Sequence, residues 1–270
     1  MRMSRKVLIC TVTVFLVVAL AVAGLVAFIQ PKELDLAYDT DYYYTVDSKP
    51  FGQWKYEKLL AGYSYYLYLP PEARGNENDE SLKIPLIVTF HGSCSKGSNY
   101  SRYGTMFINP KIQNIRHCAV LVLNARGEYY YNLEDTALVI ENLLMKNLCL
   151  DKTNVIGFGH SQGAYFVSRL SFYKPELFRA VISGSGYYQP TFLELLKCRH
   201  VNYWWGNSQN DLGIYEQGHP TGLKIRRWCK NSFYAEYESR GHFWVELNDV
   251  CPGTDVTFLD WFKSVINRRN

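Results

Sequence analysis

The sequence predicts an α/β domain built on a mostly parallel central sheet flanked by helices, and three observations carry that prediction. Apolar runs with no polar alternation, Ile84–Phe90, Ala119–Asn124 and residues 180–183, read as strands buried on both faces. Between such runs lie segments of helical period: Leu133, Ala137, Ile140, Leu144 and Leu148 recur on one face of residues 132–148. Strands alternating with helices imply parallel pairing through crossovers on both faces of the sheet. The third observation is the stretch 155–164, VIGFGHSQGA, which reads as strand, sharp turn and helix with Gly-x-Ser-x-Gly in the turn.

Taken in order, the chain begins with a basic leader, residues 1–6 (Arg2, Arg5, Lys6), followed by residues 7–29, which contain no charged side chain. About 20 apolar residues suffice to span a bilayer, so 7–29 reads as a signal anchor with the leader cytoplasmic and the rest translocated. The rival reading is a cleaved signal peptide, with small-x-small sites at Ala19-Leu20-Ala21 and Ala21-Val22-Ala23. Either way the domain is expected outside the cytosol, membrane-tethered or secreted. The formal charge of +4 falls to +1 once the three leader cations are set aside (4 − 3), so nothing indicates a nucleic-acid surface. The remaining length, about 240 residues, suits one domain over 51–270 rather than two.

Residues 30–50, rich in Asp and Tyr and without a clear period, read as a linker. Residues 51–56 and 62–69 read as two antiparallel strands, the second alternating Tyr63, Tyr65 and Leu67 against Ser64, Tyr66 and Tyr68. The polar, turn-forming residues 70–83 form an exposed loop. The strand Ile84–Phe90 then ends in His91-Gly92-Ser93-Cys94, where a glycine at a strand end lets backbone amides approach a developing oxyanion. His91 is read as a structural histidine bonded to nearby backbone. Asn132 caps the next helix, with Glu134 and Asp135 in its first turn.

Cys10 lies in the apolar segment and six cysteines remain, Cys94, Cys118, Cys149, Cys198, Cys229 and Cys251. An even number in a translocated domain favours disulfides, and no Cys-x-x-Cys pair supports a metal site. The topology suggests Cys198–Cys229, Cys118–Cys149 and Cys94–Cys251. Asn99-Tyr100-Ser101 is a glycosylation sequon if the source is eukaryotic.

The chemistry converges on three residues. The glycines of the turn allow a strained conformation that lifts the hydroxyl of Ser161 above the sheet edge, making it the candidate nucleophile. Residues 205–211 run from a strand into a turn carrying Asp211, at the strand end where ligands bind in open parallel sheets. His242, beside Gly241 in the loop after the last strand, is the one histidine that follows Asp211 in such a setting. The order Ser161, Asp211, His242 and the elbow Gly159-His160-Ser161-Gln162-Gly163, with the His91-Gly92 loop, resemble the α/β-hydrolase superfamily over about residues 63–268. Within it the chain is similar to secreted esterases related to polyhydroxybutyrate depolymerases and feruloyl esterases.

The resemblance implies an α/β-hydrolase fold without a large lid and a serine carboxylesterase working through a Ser161-His242-Asp211 triad. The amides of Ser93 and Gln162 would form the oxyanion hole, with no metal or cofactor and a small-molecule or polymeric ester as substrate. Asp211 follows Gly206 by five positions where the family pattern has about three, so Glu216 is the alternative acid. Tyr129, Tyr130, Tyr131, Tyr187, Tyr188, Phe243 and Trp244 line an acyl or aryl pocket or cover the sheet end. Two other readings compete with the esterase. One is a serine peptidase of the same fold; the other is a binding or adhesion module that has kept the fold without the catalysis.

Overall fold

The computed structural model describes residues 38–45, 53–59, 64–93, 102–124, 132–243 and 245–267. The apolar segment 7–29, the sequon, Cys10, Cys94, Tyr129, Tyr130, Tyr131 and Trp244 lie outside the described residues. Among the described residues no helix is long and apolar enough to cross a membrane.

The frame is a nine-stranded sheet in the order β1-β2-β3-β5-β4-β6-β7-β8-β9. β1 (Tyr38–Thr45), β2 (Gln53–Leu59) and β3 (Ser64–Tyr68) form an antiparallel meander, and β3 joins β5 (Ala119–Asn124) antiparallel. From β5 onward, β4 (Ile84–Phe90), β6 (Leu150–His160), β7 (Ala180–Gly184), β8 (Asn202–Ser208) and β9 (Phe233–Tyr237) are all parallel. All of their carboxyl ends therefore open on one edge of the sheet, the edge that carries Ser161, Asp211 and His242.

β1 corrects the reading of residues 30–50 as a plain linker. Tyr and Thr dominate 38–45, and both favour extended backbone. Two aspartates and the absence of apolar aliphatic residues hide that preference from a search for a buried strand.

Side chains alternate across the strands, so the sheet has two apolar faces. Ile87, Val120, Val122, Ile156, Phe158, Ile182 and Trp204 belong to one core cluster with α7 (Phe258–Ile266), the short helix α2 (Pro110–Gln113) and Phe107 and Ile108, which follow the short helix α1 (Arg102–Thr105). The opposite face is covered by α3 (Leu133–Lys146), α4 (Gln162–Tyr173) and α6 (Leu212–Trp228), where Phe90 meets Phe166 at 5.6 Å between ring centroids. α5 (Phe192–Lys197), continued by one 3-10 turn at Cys198–His200, lies between β7 and β8, and a capping box from Thr191 to Glu194 starts it.

The cysteines correct the disulfide expectation. Cys118, Cys149, Cys198, Cys229 and Cys251 are buried free thiols. Cys118 precedes β5 and Cys149 precedes β6, and β4 runs between those two strands. Two strand spacings separate them by about 9.5 Å, beyond the roughly 7 Å of Cα separation that a disulfide spans. Cys118 instead accepts from the Gln113 amide at 3.1 Å. Cys198 and Cys229 precede neighbouring strands but are likewise unbridged, and the proposed partner of Cys251 lies outside the described residues.

Candidate active site

The elbow is built by close backbone approach. Ser161 links β6 to α4 with φ 56° and ψ −122°, a left-handed conformation that costs a residue with a Cβ. Its N–H donates to the Gly184 carbonyl at 2.9 Å, and its own carbonyl accepts from the Tyr165 N–H at 2.9 Å. A Cβ on Gly159 would overlap the Gly163 carbonyl, and one on Gly163 would overlap the Phe90 carbonyl at the end of β4. Those two glycines let α4 begin directly against the β4 terminus.

Gln162 is the first residue of α4 and is buried, so its N–H is one of the helix-initial amides that have no intrahelical acceptor. Ser93 is exposed, two residues beyond His91 at the same end of β4. His91 is fully buried and its Nδ1 lies 2.7 Å from the Gly92 carbonyl, the structural histidine of the sequence reading. Burial lowers the pKa of its imidazole from the ordinary value, which keeps the ring neutral near pH 7.

Asp211 is the N-cap residue of α6, and His242 lies in the loop after β9. His242 Nδ1 and Asp211 Oδ2 are 2.8 Å apart. The carboxylate is mostly covered, at 16% side-chain exposure, whereas the imidazole is 44% exposed. The long spacing from Gly206 resolves simply: β8 continues to Ser208, so the acid sits three residues past the strand end (211 − 208). Glu216 is exposed on α6, and His242 bonds to Asp211 instead.

The end of β7 ties the serine side of the site to the histidine side. Gly184 receives the Ser161 N–H, and the next residue, Ser185, sends its hydroxyl to the Phe243 carbonyl at 3.2 Å. Ser185 has φ 53°. The His160 ring lies 4.8 Å from the His242 ring in an edge arrangement. Ser161 and His242 therefore stand on adjoining loops over one strand end.

Two clasps that the sequence did not reveal hold the His242 loop. Asn210 accepts from the Gly241 N–H and the Ser208 hydroxyl, both at 2.7 Å, and donates to Ser239 at 3.2 Å. Arg240 pairs with Asp249, whose side chain is 4% exposed, while its guanidinium lies 5.0 and 4.7 Å from the Tyr237 and Phe243 ring centroids. Asp249 also accepts from the Glu246 N–H at 2.6 Å. No motif marks Asn210 or Asp249, because each is defined by loops distant in sequence.

The aromatic residues divide. Phe243 is 1% exposed and packs in the core at 4.7 Å from Tyr237, so it supports the loop instead of lining a pocket. Tyr188 donates to Glu194 at 2.8 Å and leans on Phe172. Tyr187 stacks at 4.7 Å on Tyr165, one helical turn after Ser161, and Arg169 covers the Tyr165 ring at 5.5 Å. Tyr165 was not singled out in the sequence. Its signal is the i, i+4 spacing from Ser161. Among the described residues no group of His, Cys, Asp and Glu could hold a metal ion.

No protein-family model matches the sequence. No curated protein matches it either. Solved structures do. A thermostable esterase superposes with a TM-score of 0.55 at 18% identity, over 85% of this chain and 60% of its own. A ferulic acid esterase gives 0.52 at 12% identity, over 75% and 90%. The α/β hydrolase MGS-M1 from a Medee basin deep-sea metagenome library gives 0.53 at 12%, over 85% and 98%. The chain thus spans three fifths of the length of the thermostable esterase, and at these identities the likeness establishes the fold.

Proposed function

We propose that this chain, which has the α/β-hydrolase fold, is a serine hydrolase that cleaves carboxylic esters through Ser161, His242 and Asp211. The observation that carries the reading is one juxtaposition. A serine held at positive φ on a strand-to-helix elbow shares its sheet edge with a histidine bonded to a covered carboxylate at 2.8 Å. Backbone strain of this kind clusters at functional sites, and here it coincides with the His242–Asp211 pair on the same sheet edge.

In this reading His242 takes the hydroxyl proton of Ser161 as its oxygen attacks the ester carbonyl. Asp211, accepting from Nδ1, fixes the tautomer that leaves Nε2 free for the proton and stabilises the imidazolium that forms. The amides of Gln162 and Ser93 donate to the oxyanion, an effect of about 3 kcal/mol per donor in other hydrolases. His242 then protonates the leaving alcohol, and water, activated by the same ring, cleaves the acyl-enzyme. Tyr165 and Tyr187 offer a flat stacked surface beside the elbow for an aryl or acyl group. One short helix, α5, between β7 and β8 leaves no room for a lid in that connection, which suits bulky ester substrates.

The placement of the enzyme belongs to the same reading: residues 7–29 anchor it in a membrane with the hydrolase domain on the extracytoplasmic side. The test is hydrolysis of short-chain aryl esters by the full chain. Ser161→Ala and His242→Ala are expected to lower kcat at least 1,000-fold with unchanged thermal unfolding. Equal turnover by wild type and Ser161→Ala would refute it.

A further inference from the structure

The amino ends of β8 and β9 carry a second feature, one strand length of roughly 20 Å from the site above. A cavity of about 520 Å³ opens there, lined by Leu196, Lys197, Arg199, His200, Trp228 and Lys230. Its two walls come from the segments that precede the two strands, and the Lys230 N–H bonded to the Arg199 carbonyl at 3.1 Å fixes them together. No carboxylate lines it. Among the described residues Lys197, Arg199 and Lys230 form no salt bridge.

Glu194 and Glu176, on the segments beside the cavity, offset part of this charge. Glu194 accepts from the Thr191 amide and hydroxyl and from Tyr188, and its charge also acts on Lys197. Glu176 sits on the turn Pro175–Leu177, whose first carbonyl lies 3.3 Å from His200 Nε2. The cavity lining itself carries three permanent cations, Lys197, Arg199 and Lys230, and no carboxylate.

The rim is apolar and open to solvent. Leu193 is 69% exposed, Phe192 58% and Trp228 40%. Phe192 meets Trp228 edge to face at 5.8 Å, and Arg227 lies 5.5 Å from the Trp228 ring centroid. Exposed Trp, Phe and Leu beside lysine and arginine are the composition of a surface that sits at the headgroup level of a bilayer. A second copy of the chain is a poor occupant, because it would set these cations against one another in an interface core that disfavours Lys.

We propose that this cavity and its rim form an interfacial site for anionic phospholipid. Lys197, Arg199 and Lys230 receive a headgroup phosphate, and Phe192, Leu193 and Trp228 enter the headgroup layer. The site neither uses nor depends on the hydrolase reading. It also works at modest intrinsic affinity if the apolar segment 7–29 already holds the chain at a bilayer, since tethering raises the effective concentration.

The test is hydrogen exchange on the full chain assembled with lipid nanodiscs, read on peptides covering 191–200 and 223–231. Phosphatidylcholine discs with phosphatidylglycerol should slow exchange in both segments relative to pure phosphatidylcholine, and high salt should reverse the effect. The combined Lys197→Ala, Arg199→Ala, Lys230→Ala variant should weaken that protection about 100-fold in lipid dependence, from roughly fivefold per basic residue. Phe192→Ser with Leu193→Ser should lose protection on the same discs. All five positions are exposed, and unchanged thermal unfolding checks that they are tolerated. Equal exchange on neutral and anionic discs would overturn the proposal. So would protection by inorganic phosphate on neutral discs that matches the effect of phosphatidylglycerol, an outcome that would assign the cavity to a soluble anion.

Discussion

Ser161 holds a strained conformation, with φ at 56°, and the surrounding backbone bonds keep it there. Strain of this kind costs about 1 to 3 kcal/mol. Replacing Ser161 by glycine removes it, so Ser161→Gly should unfold at higher denaturant concentration, by about 1 kcal/mol, while losing ester hydrolysis. Paired urea melts and assays check both halves. His91 gives a pH prediction at the same scale. Its folded pKa is lowered, by burial first, below the ordinary 6.5, so the unfolded chain takes up a proton that the native chain refuses. The stability is complete above pH 6.5 and is lost as pH falls below it toward the lower native value. His91→Asn should flatten that slope in melts recorded across the acid range. At this scale the sequence is legible where a local pattern dictates backbone geometry, as at the glycine-flanked turn that holds Ser161. The sequence leaves Phe243 between pocket lining and sheet-end cover, because an aromatic beside a histidine looks the same whether it faces a ligand or the core; its burial selects the second.

The elements explain why the loops stand still. α4 can start against β4 only because Gly163 presents no side chain to the Phe90 carbonyl, so Gly163→Ala should cost at least about 3 kcal/mol, comparable to severe overpacking, and disturb the Gln162 amide. The loop after β9 depends on the Arg240–Asp249 pair. Removing one partner of a covered ion pair leaves the other charge unsatisfied, and Asp249 is the more buried of the two. Arg240→Met should therefore destabilise the fold by about 2 to 3 kcal/mol, discounted for the partial exposure of the arginine. It should also lower kcat at least tenfold by loosening His242, while Arg240→Lys restores part of both, as denaturation and aryl-ester kinetics would show. The parallel strands could be read because burial on both faces writes a continuous apolar run. β1 could not, since a strand at the sheet edge needs no such run and its tyrosines and aspartates read equally well as solvent-exposed chain.

For the whole molecule, topology decides what composition alone leaves open. An even cysteine count suggested pairing, but the strand order places β4 between the approaches to Cys118 and Cys149. Non-reducing peptide mapping of the full chain should recover those two peptides unlinked, and a Cys118–Cys149 peptide would require a different strand order. The same order brings three loops from residues 161, 211 and 242 to one sheet edge, and no local pattern in the sequence states that proximity. The 2.8 Å contact between His242 and Asp211 gives part of that proximity its geometry. The central claim is that this edge is a working nucleophilic site, and covalent capture tests it most directly. The full chain, treated with a fluorophosphonate and mapped by tandem mass spectrometry, should carry one adduct on the Ser161 hydroxyl. That adduct should disappear in His242→Ala and slow at least 100-fold in Asp211→Asn. A folded wild type that carries no adduct on Ser161, or labels equally with His242 removed, would contradict the account.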